Sequence, residues 1–277
     1  MGIILESSFL DRLEKINSDS SFSELYFLSD TVVYKKYLRK KCDSSNFAHR
    51  EEKLDLLCKE RIDDVVMPAD KVFERLEYCD GFYLAGHLMS RVKTSEIGSL
   101  KLLLESPFYT LREKALYLLE AEAIIKRCHA SPSDIVIGDA NSSNFLIDVD
   151  KKLKFVDFDG VGIGKFSFEF CSFYTTVAGR ILEGIKGQDI DKVALGFMVM
   201  EELCFVGDQL GFRNFVYTYS MNAHDIGEHI DLLDVSKQSK EVFRALISDT
   251  SDRPYVGEVL KEVSEKEGNF LMKRRVV

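Results

Sequence analysis

Residues 137–147 read Ile137-Gly138-Asp139-Ala140-Asn141-Ser142-Ser143-Asn144-Phe145-Leu146-Ile147, and a second run, Lys154-Phe155-Val156-Asp157-Phe158-Asp159-Gly160, follows shortly after. In both, short apolar runs suited to strands alternate with polar turns. Asp139 and Asn144 are therefore expected on a loop between strands, with Asp157 at the end of the next hairpin. Moving a phosphoryl group asks a protein for a carboxylate that orients the attacking hydroxyl. It also asks for oxygen ligands that hold magnesium against the phosphates, because positioning and charge neutralisation supply most of the catalysis. An Asp and an Asn five apart, then a second Asp, meet that need. Such residues in short turns also commonly cap their own backbone and do nothing more, so the weight has to come from the rest of the chain.

Outward from this stretch, the chain changes texture once. Before Pro68 the pattern predicts strands near 24–28 and 31–38, then a helix over about 45–59. Residues 72–78 and 82–89 are β-prone and flank Cys79-Asp80-Gly81, a tight-turn sequence. After Pro107 the periodicity becomes helical, with Leu111, Ala115, Leu118 and Ile125 on one stripe of a helix over 110–129, and helical patterns return from Phe170 onward. A small sheet with one helix, followed by a larger helical body, is an α+β arrangement in two lobes.

The two runs quoted above resemble the catalytic loop and metal-binding motif of the protein kinase superfamily, D-x-x-x-x-N followed by a D-F-G-like tripeptide. Gly138-Asp139 is similar to the aminoglycoside and choline kinase-like branch, where a small residue commonly precedes the Asp. Val32-Val33-Tyr34-Lys35 resembles the small-lobe strand that ends in a phosphate-holding lysine. The stripe Phe47, Glu51, Leu54, Cys58 puts Glu51 where that lysine's partner belongs, with Glu52 as the alternative register. Residues 191–203, beginning Asp191-Lys192-Val193-Ala194-Leu195-Gly196, resemble the central large-lobe helix with its D-x-W-S-L-G pattern. Ala178-Gly179-Arg180-Ile181-Leu182 stands in the place of A-P-E-x-L, and Ser251-Asp252-Arg253-Pro254 resembles the approach to the last helix.

The resemblance runs colinearly from Lys35 to Pro254. It implies a two-lobed kinase-like fold with a β-rich N-lobe over residues 1–89 and a mainly helical C-lobe over 90–277. By the same resemblance Asp139 is the catalytic base, Asn144 and Asp157 are the magnesium ligands, and Lys35 holds the phosphates of ATP. The nucleotide site is completed by Glu51, by Ser18, Ser20 and Ser23 in the phosphate-covering loop, and by Met89.

Several positions depart from the pattern. The phosphate-covering region 16–26 has no glycine, serines standing at the small positions. The His-Arg that precedes the catalytic Asp is Ile137-Gly138, which does not fit regulation through a phosphorylated activation loop. Arg180 stands where a glutamate would pair with Arg253, so another acid, such as Glu169 or Glu183, is expected to take that place. Asp159 replaces the glycine of the tripeptide, which is expected either to hold the metal-binding Asp less mobile or to provide an extra carboxylate near magnesium.

Composition narrows the partners. A net charge of -9 disfavours binding along a nucleic-acid backbone. The six cysteines show no CxxC pair or zinc spacing, which suits a reducing, cytoplasmic setting. No run is long and apolar enough to predict a membrane span. The five histidines show no paired-ligand spacing and are read as ordinary surface or core residues. The expectation is an ATP- and magnesium-dependent kinase acting on a protein hydroxyl, of Ser/Thr type. A small-molecule kinase, for an acceptor such as an amino sugar, and a non-catalytic pseudokinase that binds partners are the alternatives.

Overall fold

The computed structural model describes residues 2–5, 7–16, 23–38, 47–75, 81–158, 160–167, 176–179, 182, 185–204, 223–248 and 252–266. They form a mixed α+β protein whose chain divides into two compact units, residues 1–93 and 94–277. The division falls after Lys93 because Thr94 and Ser99 pair with Asp148 and Leu146 of the second unit.

In the first unit the strands are β1 (Ile3–Leu5), β2 (Lys15–Ile16), β3 (Ser23–Phe27), β4 (Val32–Tyr37), β5 (Pro68–Arg75) and β6 (Phe82–Ser90), with helices α1 (Ser7–Leu10) and α2 (Phe47–Leu57). The strands make one sheet in the order β1-β5-β6-β4-β3-β2. The β1–β5 pair is parallel and the other pairs are antiparallel. Because side chains alternate across a strand, β4 serves two different faces. Tyr34 lies on one, fully buried with Leu10 of α1, Val72 and Leu88. Lys35 lies on the other, directly opposite His87 of β6, which is in turn opposite Lys71 of β5. All three are buried. Helix α2 packs against β5 and β6 and buries Leu54 and Leu57.

At Gly86 of β6 a side chain has no room: a Cβ there would lie 2.0 Å from the carbonyl oxygen of Lys35 and 2.8 Å from the Tyr34 ring. The missing side chain lets the Tyr34 ring lie close against the neighbouring strand.

The second unit carries a three-stranded antiparallel sheet of β7 (Thr94–Ser99), β8 (Phe145–Asp148) and β9 (Leu153–Phe155). Its helices include α3 (Leu100–Glu105), α4 (Leu111–His129), α5 (Asp189–Val199), α6 (Ala223–Asp231), α7 (Lys237–Ile247) and α8 (Gly257–Glu265). Helix α4 starts where its sequence says it should: Thr110 Oγ1 accepts from the Glu113 amide, and Glu113 returns the bond to the Thr110 amide at 2.7 Å. Its inward stripe, Ala115, Leu118, Ala121, Ile125 and Cys128, is fully buried, and each large aliphatic residue on it contributes about 2 kcal/mol. Helix α5 is buried almost throughout, from Ile190 to Val199, which explains its near-continuous apolar sequence. Two glycines allow close helix contacts. A Cβ on Gly196 of α5 would meet Leu246 of α7 at 2.7 Å, and one on Gly257 of α8 would meet Glu122 Oε1 of α4 at 2.5 Å.

Two glycine substitutions separate steric from conformational effects. Gly86→Ala is expected to destabilise the protein by about 3 kcal/mol, since the new methyl meets a backbone carbonyl that cannot yield. Gly227→Ala, in α6 with nothing within 4 Å, is expected to stabilise it by about 0.5–1 kcal/mol through helix propensity. Urea unfolding of both variants checks the pair.

Candidate functional site

The loop between α4 and β8 is organised by one carboxylate on another helix. Asp191, in the first turn of α5, has no exposed surface. Its Oδ2 accepts from the Ile137 amide at 2.7 Å and its Oδ1 from the Gly138 amide at 2.8 Å. His129, the last residue of α4, places Nε2 2.9 Å from the same Oδ2. Gly138 has φ 69°, a left-handed conformation that glycine adopts without a Cβ clash. This turn delivers the chain directly to Asp139.

Asp139 is then clamped from two sides. Asn141 donates its side-chain amide to Asp139 Oδ1 at 2.9 Å, while its own Oδ1 caps the following turn at the Ser143 amide. Asn144 donates to Asp139 Oδ2 at 2.8 Å and to the Asp139 carbonyl at 3.1 Å. Each carboxylate oxygen thus has an amide donor, which fixes the plane of the group in a half-buried position. With the NH2 end of Asn144 engaged, its carbonyl oxygen lies on the opposite edge of the amide and can ligate a cation. The Asn144 backbone carbonyl accepts from the Val156 amide at 2.8 Å, which ties the end of β9 to the loop immediately before Asp157. Asp157 itself has φ 77°. A non-glycine residue at such a φ is uncommon, and strained residues of this kind cluster at functional sites. Behind it, Phe158 meets Phe155 edge-on at 5.4 Å and Phe155 packs on Phe145 at 5.1 Å, an apolar floor under the polar loop.

Among the described residues no three His, Cys, Asp or Glu side chains converge on a metal-sized site. The donor set of one carboxylate, Asp157, and one amide oxygen, Asn144, suits magnesium held jointly with substrate phosphates, because that ion keeps several waters and seldom uses an all-protein cage.

In the first unit, Lys35 is buried on β4. The expected pairing of Glu51 with Lys35 is corrected by the structure: Glu51 accepts from Lys71 of β5 at 2.9 Å, and Asp55, one turn on, lies 2.8 Å from the same ammonium. The reason is position on the helix. Glu51 and Asp55 share a side of α2 that reaches β5, two strands from β4. Burial works against the charge of Lys71, but the hydrogen bonds it donates to Asp55 and Glu51 outweigh it and raise its pKa. Glu52, the alternative, is exposed on α2. Ser23 is buried on β3 opposite Tyr37, and Met89 is half-buried between Val33 and Pro68. Ser18, Ser20 and Asp159 lie outside the described residues, as do Arg180, Glu169 and Glu183.

The acid that holds Arg253 is Asp189. Arg253 is buried and donates to Asp189 Oδ2 at 3.1 Å, to the Leu246 carbonyl at 2.8 Å and to the Ser248 carbonyl at 2.8 Å. Sequence reasoning passed over Asp189 and gave no role to His129, Asp191 or Tyr255. For Asp189 and Asp191 a signal was present: two acids in the first turn of an otherwise apolar helix, where the helix dipole favours negative charge.

No protein-family model matches the chain, and no curated protein is similar to it. The reading of the site therefore rests on its own geometry.

Replacing Asp191 by Asn turns an acceptor oxygen toward donors as an NH2 group and removes a buried charge from two amides and an imidazole. A stability loss of about 2–3 kcal/mol is expected. Hydrogen exchange should show the Ile137 and Gly138 amides losing protection ahead of the amides of α5; equal protection in both proteins would deny Asp191 its organising role.

Proposed function

We propose that this chain is an ATP- and magnesium-dependent phosphotransferase with a two-lobed, protein-kinase-like fold, transferring the γ-phosphate to a hydroxyl group, most simply that of a protein Ser or Thr. The observation that carries the reading is the clamped carboxylate. Asp139 has each oxygen held by an asparagine amide, so it presents a fixed acceptor to an incoming hydroxyl. Asn144 serves both Asp139 and the backbone leading to Asp157. A loop that locks one acid and joins it to a second through a shared Asn suits a reaction whose catalysis is mainly positioning.

In this reading Asp139 accepts the hydrogen bond of the acceptor hydroxyl. Asn144 Oδ1 and the Asp157 carboxylate hold magnesium, which neutralises charge on the transferring phosphate. Lys35 binds the phosphates from the sheet. The suspension of Ile137 and Gly138 from Asp191, a residue on a separate helix, supports the kinase-like assignment, since Asp191 begins the segment that resembles the central large-lobe helix. One feature favours a second reading, a small-molecule kinase. Gly138, at φ 69° before Asp139, stands where protein kinases carry an arginine and where the small-molecule branch carries a small residue.

Thermal melting with and without Mg-ATP provides the test. A ligand that binds only the folded state stabilises it by about 2.7 kcal/mol at a hundred times its dissociation constant. The wild type should show a magnesium-dependent rise that Asp157→Ala loses. Asp139→Asn should keep the rise and lower transfer by about a hundredfold or more. Protein and amino-sugar acceptors assayed side by side separate the two substrate readings. A melting point indifferent to nucleotide would leave a binding module as the better account.

A further inference from the structure

Beyond the loop and its metal ligands, a chain of polar contacts runs from the start of α8 to the catalytic loop. The hydroxyl of Tyr255 lies 2.6 Å from His129 Nδ1. His129 Nε2 lies 2.9 Å from Asp191 Oδ2, and that oxygen also holds the Ile137 amide. The His129 side chain is 3% exposed and that of Asp191 0%. A carboxylate oxygen can only accept, so Nε2 carries a hydrogen. In the neutral ring Nδ1 is then bare, and the Tyr255 O–H donates to it, completing every donor and acceptor in the chain. In the charged ring Nδ1 would itself be a donor, and the phenolic hydrogen would have to turn away from its partner.

Lys126 of α4 and Lys192 of α5 hold their ammonium groups 4.5 and 5.1 Å from the centre of the Tyr255 ring. Among the described residues the negative groups facing this region include Glu122 of α4, ion-paired to Lys126, Asp189 of α5, shared between Lys192 and Arg253, and Asp252, 3.9 Å from the Lys192 ammonium. Asp134 shares the Gln188 amide with the His129 carbonyl, Asp191 lies nearest the ring, and Cys128 is the neighbouring buried thiol. Burial, with Asp191, Glu122 and Asp189 adding to it, pushes the Tyr255 phenol up to about 12, so it keeps the hydrogen it donates.

We propose that Tyr255 is a positioning residue for the 137–144 loop: its hydroxyl holds His129 as the neutral Nε2–H tautomer, leaving Asp191 with its full charge for the Ile137 and Gly138 amides. An imidazolium in the same place would draw Oδ2 toward the ring and away from the Ile137 amide. The turn that delivers Asp139 would then loosen. The consequence for phosphate transfer rests on the function proposed above, while the tautomer does not.

The test uses the full-length chain labelled with 15N-histidine, with the His129 signals assigned by their loss in His129→Gln. In the wild type the imidazole nitrogens should show a protonated Nε2 and a bare, hydrogen-bonded Nδ1 at neutral pH. Tyr255→Phe should lose the hydrogen-bond shift at Nδ1. Phosphate transfer by the variant should fall by roughly tenfold, with nucleotide affinity unchanged because the variant leaves Lys35, Asn144 and Asp157 in place. Identical Nδ1 signals in the two proteins, or a wild-type imidazolium at neutral pH, would overturn the proposal. Should the Phe variant fail to fold, the wild-type spectrum decides alone between a bare Nδ1 and an imidazolium. If the spectra behave as expected and neither protein moves phosphate, the phosphotransferase reading fails and the role of Tyr255 in setting the tautomer stands.

Discussion

A single buried carboxylate, that of Asp191, joins three parts of the second unit, the last of them far along the chain from the other two. It closes the end of α4 through His129, receives the backbone that enters the loop at Ile137 and Gly138, and sits on α5, a helix enclosed along nearly its whole length. Its charge is tolerated because three donors meet its two oxygens, and a buried charge needs such partners. Everything the loop does afterwards starts from that anchor: the left-handed turn at Gly138, the clamped Asp139 and the shared amide of Asn144.

The same design, a buried ion satisfied by backbone groups, recurs at Arg253. Its guanidinium binds two carbonyls near the end of α7 and one carboxylate in the first turn of α5. Asp189 and Asp191 lie two residues apart in that turn, Asp191 reaching back to the 137–144 loop and Asp189 forward to the segment before α8. A helix N-terminus suits both, since its unpaired amides favour negative charge. Helix α5 therefore works as a connecting rod with a forked end.

How much of this was legible in the sequence follows from the range of each interaction. The strands at Ser23–Phe27 and Val32–Tyr37, the helix at Phe47–Leu57 and the helix α4 were readable because period is local. Asp139, Asn144 and Asp157 stood out because a short polar motif between apolar runs is also local. The pairing of Glu51 was misjudged because choosing between β4 and β5 as its partner depends on where α2 lies across the sheet, which spacing along a helix does not encode. His129 and Tyr255 were missed for a similar reason. Each acts through a partner dozens of residues away, and a lone histidine or tyrosine gives no periodic sign of it. The strand Ile3–Leu5 was also unexpected, since its pairing with β5 is parallel and joins residues far apart in the chain.

Gly257 gives the contact between α4 and α8 a meaning beyond packing. Tyr255 precedes it by two residues, so the distance at which α8 rests on Glu122 also sets how far the phenol can extend toward His129. A methyl group at that one position would act as a spacer between the helices, lifting the tyrosine from its partner with every polar side chain of the chain left intact. The alignment of the loop is therefore gauged by an absence: the smallest side chain in the unit fixes the reach of one of its largest.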